Sequence, residues 1–90
     1  MIEVVYFTGK DCGVCQVVKP KLQQAIEENY ADVPFNVIDI QKEPEIAAQN
    51  MVFTLPVVIV KEDGQEAYRF ARSFGINEVL EKINRLISFQ

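Results

Sequence analysis

Histidine is absent from this chain of 90 residues, and cysteine occurs only twice. Without an imidazole, the chain can carry out neither Ser-His nor Cys-His nucleophilic catalysis, and it cannot bind a metal through histidine. Two cysteines are also too few to hold together a small disulfide-stapled scaffold. The chemistry that remains is that of the cysteine pair, the carboxylates and the backbone dipoles.

Basic residues and long apolar runs are scarce as well. Nine Lys and Arg against thirteen Asp and Glu give a net charge of -4, which disfavours binding to nucleic acid or to anionic lipid. No apolar run approaches the roughly 20 residues of a membrane span. The first residues are apolar with no basic stretch before them, unlike a secretory signal. We therefore expect a cytoplasmic monomer with no nucleic-acid or membrane partner.

The hydrophobic pattern predicts strands and helices that alternate within one domain, residues 1–90. With 49% hydrophobic and 24% charged residues, a chain of this length can bury one core but not two. Asp63-Gly64 predicts a tight type I′ turn. The order β-α-β-α-β-β-α predicts an α/β fold, with a four-stranded mixed sheet and helices on both faces. The predicted strands are 2–7, 35–40, 57–60 and 66–71, and the predicted helices begin near 13, 42 and 76 and end near 28, 51 and 88.

Each predicted helix has one apolar stripe that should face the core. In the first helix the stripe continues past Pro20, so we expect a kink there and not the end of the helix. The inward residues predicted along the three helices are Val14, Val18, Leu22, Ala25 and Ile26, then Ile46, Ala47 and Met51, and finally Ile76, Val79, Leu80, Ile83 and Ile87.

Cys12 and Cys15 lie where the first strand gives way to the first helix. Residues three apart on a helical turn have Cβ atoms about 5–6 Å apart, and a small adjustment reaches the ~3.8 Å of a disulfide. The helix N-terminus should stabilise a Cys12 thiolate through its free N–H groups and its dipole. We therefore expect Cys12 to be the exposed nucleophile and Cys15 the covered resolving thiol. Lys10 should favour the thiolate and Asp11 should oppose it.

Pro56 stands at the start of a predicted strand, which has two explanations. It is either an ordinary strand-entry proline, or the Leu55-Pro56 bond is cis. A cis bond would turn the N–H and C=O of Leu55 outward, where an extended peptide beside Cys12 could pair with them.

Together these residues resemble the thioredoxin-like superfamily in a short form, of the length of a glutaredoxin. The resemblance rests on Cys12-Gly13-Val14-Cys15, Pro20, Leu55-Pro56-Val57, Asp63-Gly64 and the last helix. It implies a thioredoxin-like fold and a thiol-disulfide oxidoreductase that needs no cofactor or metal, in which Cys12 attacks and Cys15 resolves. It also implies partners: disulfide-bearing proteins as substrates, and a flavoprotein thioredoxin reductase or glutathione as electron donor. The substrate groove that it implies consists of Gly13, Val14, Thr54, Leu55, cis-Pro56, Arg72 and Ser73.

The chain departs from the family pattern at several positions. Asp11 takes the place of the tryptophan that usually precedes the first cysteine, and Tyr6 the place of a buried acid. We interpret Tyr6 as a core aromatic and not as a proton shuttle, because its neighbours are apolar. Arg72 stands where a glycine is typical.

Three alternatives remain open at this point. A glutathione-dependent, glutaredoxin-like enzyme would share the cysteine pair, although Ser73-Phe74-Gly75 does not supply the usual Gly-Gly stretch. A metal or Fe–S carrier would need a dimer or added thiols, because two cysteines fill only half of a tetrahedral site. A docking module could use the same groove without redox chemistry.

Overall fold

The computed structural model describes residues 1–89 as an α/β fold with the predicted order of elements. The sheet has the strand order β2-β1-β3-β4, in which β1 and β2 are parallel and β3 is antiparallel to both of its neighbours. The predicted four-stranded mixed sheet is confirmed. The strands are β1 (Ile2–Thr8), β2 (Phe35–Asp39), β3 (Val57–Glu62) and β4 (Gln65–Ala71), and the helices are α1 (Gly13–Asn29), α2 (Pro44–Gln49) and α3 (Ile76–Ser88).

Strand β1 is buried on both of its faces because it lies between two other strands and under helices on either side. Val4 and Tyr6 belong to one apolar cluster, together with residues of α1 and α3. Val5 and Phe7 point the other way and belong to a second cluster, which includes Ala47 of α2. The nearly continuous apolar run in the sequence has this cause: alternate side chains face two different cores.

The local signals for turns and helix ends are largely as expected. Asp63 and Gly64 have φ of 52° and 82°, which suits the I′ turn that joins β3 to β4. Helix α1 continues through Pro20 to Asn29. Helix α3 begins after Gly75, whose N–H donates to the carboxylate of Glu78 at 2.8 Å. Within residues 1–89, no helix is long and apolar enough to cross a membrane.

Three residues predicted to face the core are exposed. Val14 is 55% exposed, because Cys15 takes the inward position of the first turn of α1. Met51 is 68% exposed, because α2 ends at Gln49 and a φ of 54° at Met51 turns the chain. Ile87 is 39% exposed, and Leu86 closes the buried stripe of α3 in its place.

Candidate active site

Cys12 is the residue that caps helix α1. Its backbone is extended, with φ -101° and ψ 96°, and its Sγ accepts a hydrogen bond from the backbone N–H of Cys15 at 3.1 Å. The first turn of α1 has no acidic residue that would compete for this end of the helix dipole. The Cys12 sulfur therefore lies where a negative charge is stabilised both by a backbone donor and by the dipole.

The two sulfurs of the pair form a disulfide. The Cys12 Sγ–Cys15 Sγ distance is 2.08 Å, and the two Cα atoms are 5.2 Å apart. The environments of the two residues differ. Cys15 has no solvent exposure and belongs to the core cluster of α1 and α3, whereas Cys12 is half-buried at its edge. An outer and an inner sulfur are thus distinguished by burial.

Tyr6 lies beneath the pair and holds the backbone of its inner member. The Tyr6 hydroxyl donates to the carbonyl oxygen of Cys15 at 3.0 Å, and its ring packs against Phe35 with 5.9 Å between centroids. Burial raises the pKa of Tyr6 to about 12. Tyr6 is therefore protonated at neutral pH, and its single O–H is already donated. It acts as a structural anchor for the first turn of α1, which agrees with its interpretation as a core aromatic.

A groove of about 430 Å³ opens beside Cys12. Leu55 packs so closely on Gly9 that a Cβ at Gly9 would lie 2.7 Å from Leu55 Cδ1, so only glycine fits without a shift of Leu55. We call this space the Cys12 groove. Its lining residues are Gly9, Asp11, Cys12, Ile40, Gln41, Val52, Phe53, Thr54 and Leu55.

The structure brings only some of the sequence-predicted site residues into this groove. Asp11, Thr54 and Leu55 line it with Cys12. The Leu55-Pro56 bond is cis, and the Pro56 carbonyl accepts from the N–H of Arg72 at 2.9 Å, so the turn after β4 lies next to Pro56. Lys10 is exposed, and its N–H donates to the side chain of Gln41 at 2.6 Å. The predicted residues that do not line the groove are Lys10, Gly13, Val14, Pro56, Arg72 and Ser73.

Five residues of the groove were missed by sequence reasoning: Gly9, Ile40, Gln41, Val52 and Phe53. Gly9 directly follows β1, and a glycine shortly before a cysteine pair is a signal of close backbone approach. Phe53 is 83% exposed at the groove. The signal for Phe53 is a large aromatic residue in a segment that is neither strand nor helix, directly before Thr54-Leu55-Pro56.

Arg69 of β4 holds the segment that leads into the groove. Its guanidinium donates to the carbonyl oxygens of Asn50 at 2.6 Å and of Met51 at 3.2 Å. It also forms two hydrogen bonds with the carboxylate of Glu66, and these lower the pKa of Glu66. The end of α2 is thereby tied to the edge strand by a planar cation whose geometry Glu66 fixes.

Metal-binding residues are sparse around the pair. In the part of the chain that the structure describes, no three His, Cys, Asp or Glu residues come together as metal ligands. A metal held by Cys12 and Cys15 would need further ligands from another molecule.

Comparison with known proteins agrees with the fold. A family model described as Thioredoxin matches residues 2–85. The chain belongs to the thioredoxin family. Thioredoxin 1 of Thermosipho africanus is 39% identical, covers 97% of this chain and 96% of its own, and superposes with a TM-score of 0.87. The thioredoxin of Mycobacterium tuberculosis is 27% identical over 84 residues, which are 93% of this chain and 72% of that protein.

A chain from a yeast structure is also similar. That structure concerns the thiol resolving mechanism of mitochondrial 1-Cys peroxiredoxin via glutathione/thioredoxin systems. The matching chain is 25% identical, with 93% of this chain and 77% of that chain covered, at a TM-score of 0.83. Family membership and the disulfide between Cys12 and Cys15 make this thioredoxin-family protein a thiol-disulfide oxidoreductase. The predicted fold and enzyme class are both confirmed.

Proposed function

We propose that the protein reduces disulfide bonds of partner proteins, with Cys12 as the attacking thiolate and Cys15 as the resolving thiol. The observation that carries this assignment is the contrast between the two sulfurs. Cys12 accepts an N–H at the helix N-terminus and lines an open groove, whereas Cys15 has no solvent exposure. A thiolate is the reactive form of cysteine, and only an accessible one can reach a bond in another protein.

In the first step, the Cys12 thiolate attacks one sulfur of the partner's disulfide. A new bond forms between Cys12 Sγ and that sulfur, the partner's S–S bond breaks, and the other partner sulfur leaves as a thiolate that takes up a proton. The helix dipole and the Cys15 N–H stabilise the charge on Cys12 before the attack, by about 2–5 kcal/mol together.

In the second step, Cys15 loses its proton and attacks Cys12 Sγ. The bond between Cys12 and the partner breaks, the internal disulfide forms, and the second partner sulfur leaves and is protonated. Two electrons have passed from the dithiol to the partner. The attack needs no large movement, because the two Cα atoms are only 5.2 Å apart. Tyr6 keeps its own proton at neutral pH and already donates it to the Cys15 carbonyl, so Tyr6 is not the base. The proton that Cys15 loses is balanced by the one that the leaving partner sulfur takes up.

Substrate binding is proposed to use the backbone of Leu55. Among the described residues, no protein group forms a hydrogen bond with its N–H or C=O. An extended segment of the partner could pair with both groups, as a strand added beside the active site. We propose that residues near Cys12 and Leu55 surround this segment. Some are neighbours of Cys12 or Leu55 in the sequence, and the others are brought next to Pro56 by the hydrogen bond from Arg72. They are Gly13, Val14, Thr54, Pro56, Arg72 and Ser73.

The internal disulfide must be reduced again before the next cycle. We propose a flavoprotein thioredoxin reductase or glutathione as the electron donor, which the glutathione/thioredoxin systems of the similar yeast structure support. Both donors act in compartments that keep thiols reduced, so we propose that the protein is cytoplasmic. We also propose that it acts as a single-domain monomer. Size-exclusion chromatography with light scattering tests the monomer: a mass of about twice 10.3 kDa would contradict it.

Insulin reduction tests the assignment of the two cysteines. Cys12→Ser should lose essentially all activity, and a Cys12→Ser variant with wild-type activity would overturn the proposal. Cys15→Ser should instead accumulate a mixed disulfide between Cys12 and the substrate, visible by mass spectrometry under non-reducing conditions. The double variant, with both cysteines replaced, gives the background rate.

The choice of donor is tested in the same assay. NADPH with thioredoxin reductase is compared with NADPH, glutathione reductase and glutathione at equal concentrations of the protein. Turnover only in the glutathione arm would assign the protein to the glutaredoxin-like alternative.

A further inference from the structure

The Cys12 groove extends beyond the Cys12 sulfur, and most of its lining is apolar. Phe53 is 83% exposed at the groove, although a phenyl ring in water loses the free energy that burial would give it. Val52 is buried, and Ile40 and Leu55 are half-buried. The exposed ring and the apolar residues beside it offer a surface next to Cys12 that a bound partner can cover.

Among the described residues that line the groove, Asp11 is the only one with a charged side chain. It is exposed and directly precedes Cys12. The groove thus offers a carboxylate to whatever lies in it and no cation. A partner with a positive charge near its disulfide is attracted, whereas a partner with carboxylates near its disulfide is repelled.

The groove is held in shape by contacts that exist without a partner. The Gln41 side chain accepts from the N–H of Lys10, and Leu55 packs on Gly9. Arg69 holds the carbonyls of Asn50 and Met51, which lie two residues and one residue before Val52. A preformed site loses little conformational entropy on binding, so its contacts can distinguish one substrate from another.

We propose that the Cys12 groove is a specificity subsite for an apolar side chain next to a basic residue, in the partner segment that carries the target disulfide. Phe53 would cover the apolar side chain, and Asp11 would face the basic residue. The volume of about 430 Å³ is enough for one side chain and its flanking backbone. This inference rests on the proposed reduction of protein disulfides and names the class of protein that is reduced.

The test uses short peptides, each joined through one cysteine to a chromophoric thiol. Four peptides are identical except at two positions beside the cysteine, which are Leu or Ala and Lys or Glu. For the reduced wild-type protein, kcat/KM should be about ten-fold higher with Leu than with Ala, from partial burial of the side chain. It should be about five-fold higher with Lys than with Glu, which is the range of a partly exposed ion pair. Salt at 0.5 M should reduce only the second ratio.

Two variants assign these ratios to the groove. Asp11→Asn should bring the Lys/Glu ratio close to one, and Phe53→Ala should lower the Leu/Ala ratio to about three-fold. Ratios are used because a change in the acidity of Cys12 alters the rates of all four peptides alike. Asp32→Asn and Phe89→Ala are the matched controls, since both residues are exposed and do not line the groove. The controls should leave both ratios at their wild-type values.

Each outcome gives a decision. Ratios near one in the wild type, or ratios that Asp11→Asn and Phe53→Ala leave unchanged, overturn the subsite. Faster reduction of glutathione disulfide than of the Leu-Lys peptide overturns it as well, because the groove would then take glutathione. If insulin is reduced but the peptides show no preference, the subsite is wrong and the proposed function stands. If neither insulin nor any peptide is reduced, the proposed function itself is wrong, and the subsite with it.

Discussion

The two faces of the sheet are covered very differently. On one face lie α1 with 17 residues and α3 with 13, over the larger cluster, which includes Tyr6, Cys15 and Leu22. On the other face lies α2 with six residues, over a smaller cluster that includes Ala47 and Val52. The first face is held mainly by apolar packing. The second is supplemented by hydrogen bonds, above all those of Arg69 to the end of α2.

This difference matches the two tasks of the site. The inner sulfur has to stay out of solvent, and it belongs to the heavily packed face. The segment that we propose to contact substrate has to present a surface to water, and it belongs to the lightly covered face. Apolar packing keeps the inner sulfur out of solvent, and a few directed hydrogen bonds hold the exposed segment that we propose to contact substrate.

The comparison predicts the largest loss of stability for a substitution on the heavily packed face. Leu22 has no solvent exposure, and Leu22→Ala should lower the free energy of unfolding by about 3–4 kcal/mol. Val52→Ala on the other face removes fewer atoms from a thinner core and should cost about 1–2 kcal/mol. Urea unfolding of the oxidised proteins at pH 7 measures both.

Activity assays make the same comparison sharper. Under conditions where both variants are folded, Val52→Ala should raise the KM for a protein substrate because Val52 lines the Cys12 groove. Leu22→Ala should leave the KM near its wild-type value. Equal stability losses together with equal KM values would contradict the division of tasks between the faces.

A smaller effect is expected for Tyr6→Phe, which removes the hydroxyl that donates to Cys15 and nothing else. At pH 7 the free energy of unfolding should fall by about 1 kcal/mol, the usual net value of one hydrogen bond. Tyr68→Phe on β4 is the matched control for the loss of a tyrosine hydroxyl. If Tyr68→Phe lowers the free energy of unfolding as much as Tyr6→Phe does, the hydrogen bond from Tyr6 to Cys15 makes no special contribution to stability.

The difference in the free energy of unfolding between the wild type and Tyr6→Phe should change at alkaline pH. Folding raises the pKa of Tyr6 from 10.0 to about 12, so the unfolded chain loses this proton at lower pH than the folded protein. The stabilisation is complete below pH 10 and is lost as the pH rises towards 12, by at most about 3 kcal/mol. The wild type should therefore lose more stability than Tyr6→Phe between pH 9 and 11. Parallel pH profiles for the two proteins would show that the hydroxyl is not buried in solution.

The smallest change in stability is expected at Arg69. Its ion pair with Glu66 is partly exposed, so Arg69→Met should cost less than about 1 kcal/mol. Because the variant releases the carbonyls of Asn50 and Met51, the KM for a protein substrate should rise about two- to three-fold while kcat is retained. Glu66→Gln keeps the guanidinium and should show a weaker change in the same direction. A fall in kcat at unchanged KM would contradict a role in holding the loop.

The arrangement of strands and the inner position of Cys15 could be predicted because they follow from short-range rules. The apolar run of β1, the Asp63-Gly64 turn and the i,i+3 spacing of the cysteines each permit few structures. Errors occurred at the ends of helices. Val14 and Met51 fit an apolar stripe, but one lies in a first turn and the other beyond the last, where the helical period no longer decides which way a side chain points.

The Cys12 groove could not be predicted because its parts are distant in the sequence. Gly9 and Leu55 meet only after β1 and the segment before β3 are placed side by side. Arg69 reaches Asn50 and Met51 from a neighbouring element. No local pattern in the sequence indicates that an arginine on an edge strand satisfies the carbonyls of a helix end.

The burial of Cys15 also determines how the protein meets oxidants such as hydrogen peroxide. Cys15 has no solvent exposure, so we expect peroxide to reach Cys12 first and to convert its proposed thiolate to a sulfenic acid. The thiol of Cys15, one helical turn away, displaces hydroxide from that sulfur, and the products are the internal disulfide and water. We expect the oxidation to end in the internal disulfide, which the proposed electron donor would reduce, before the sulfur can proceed to the irreversible acids.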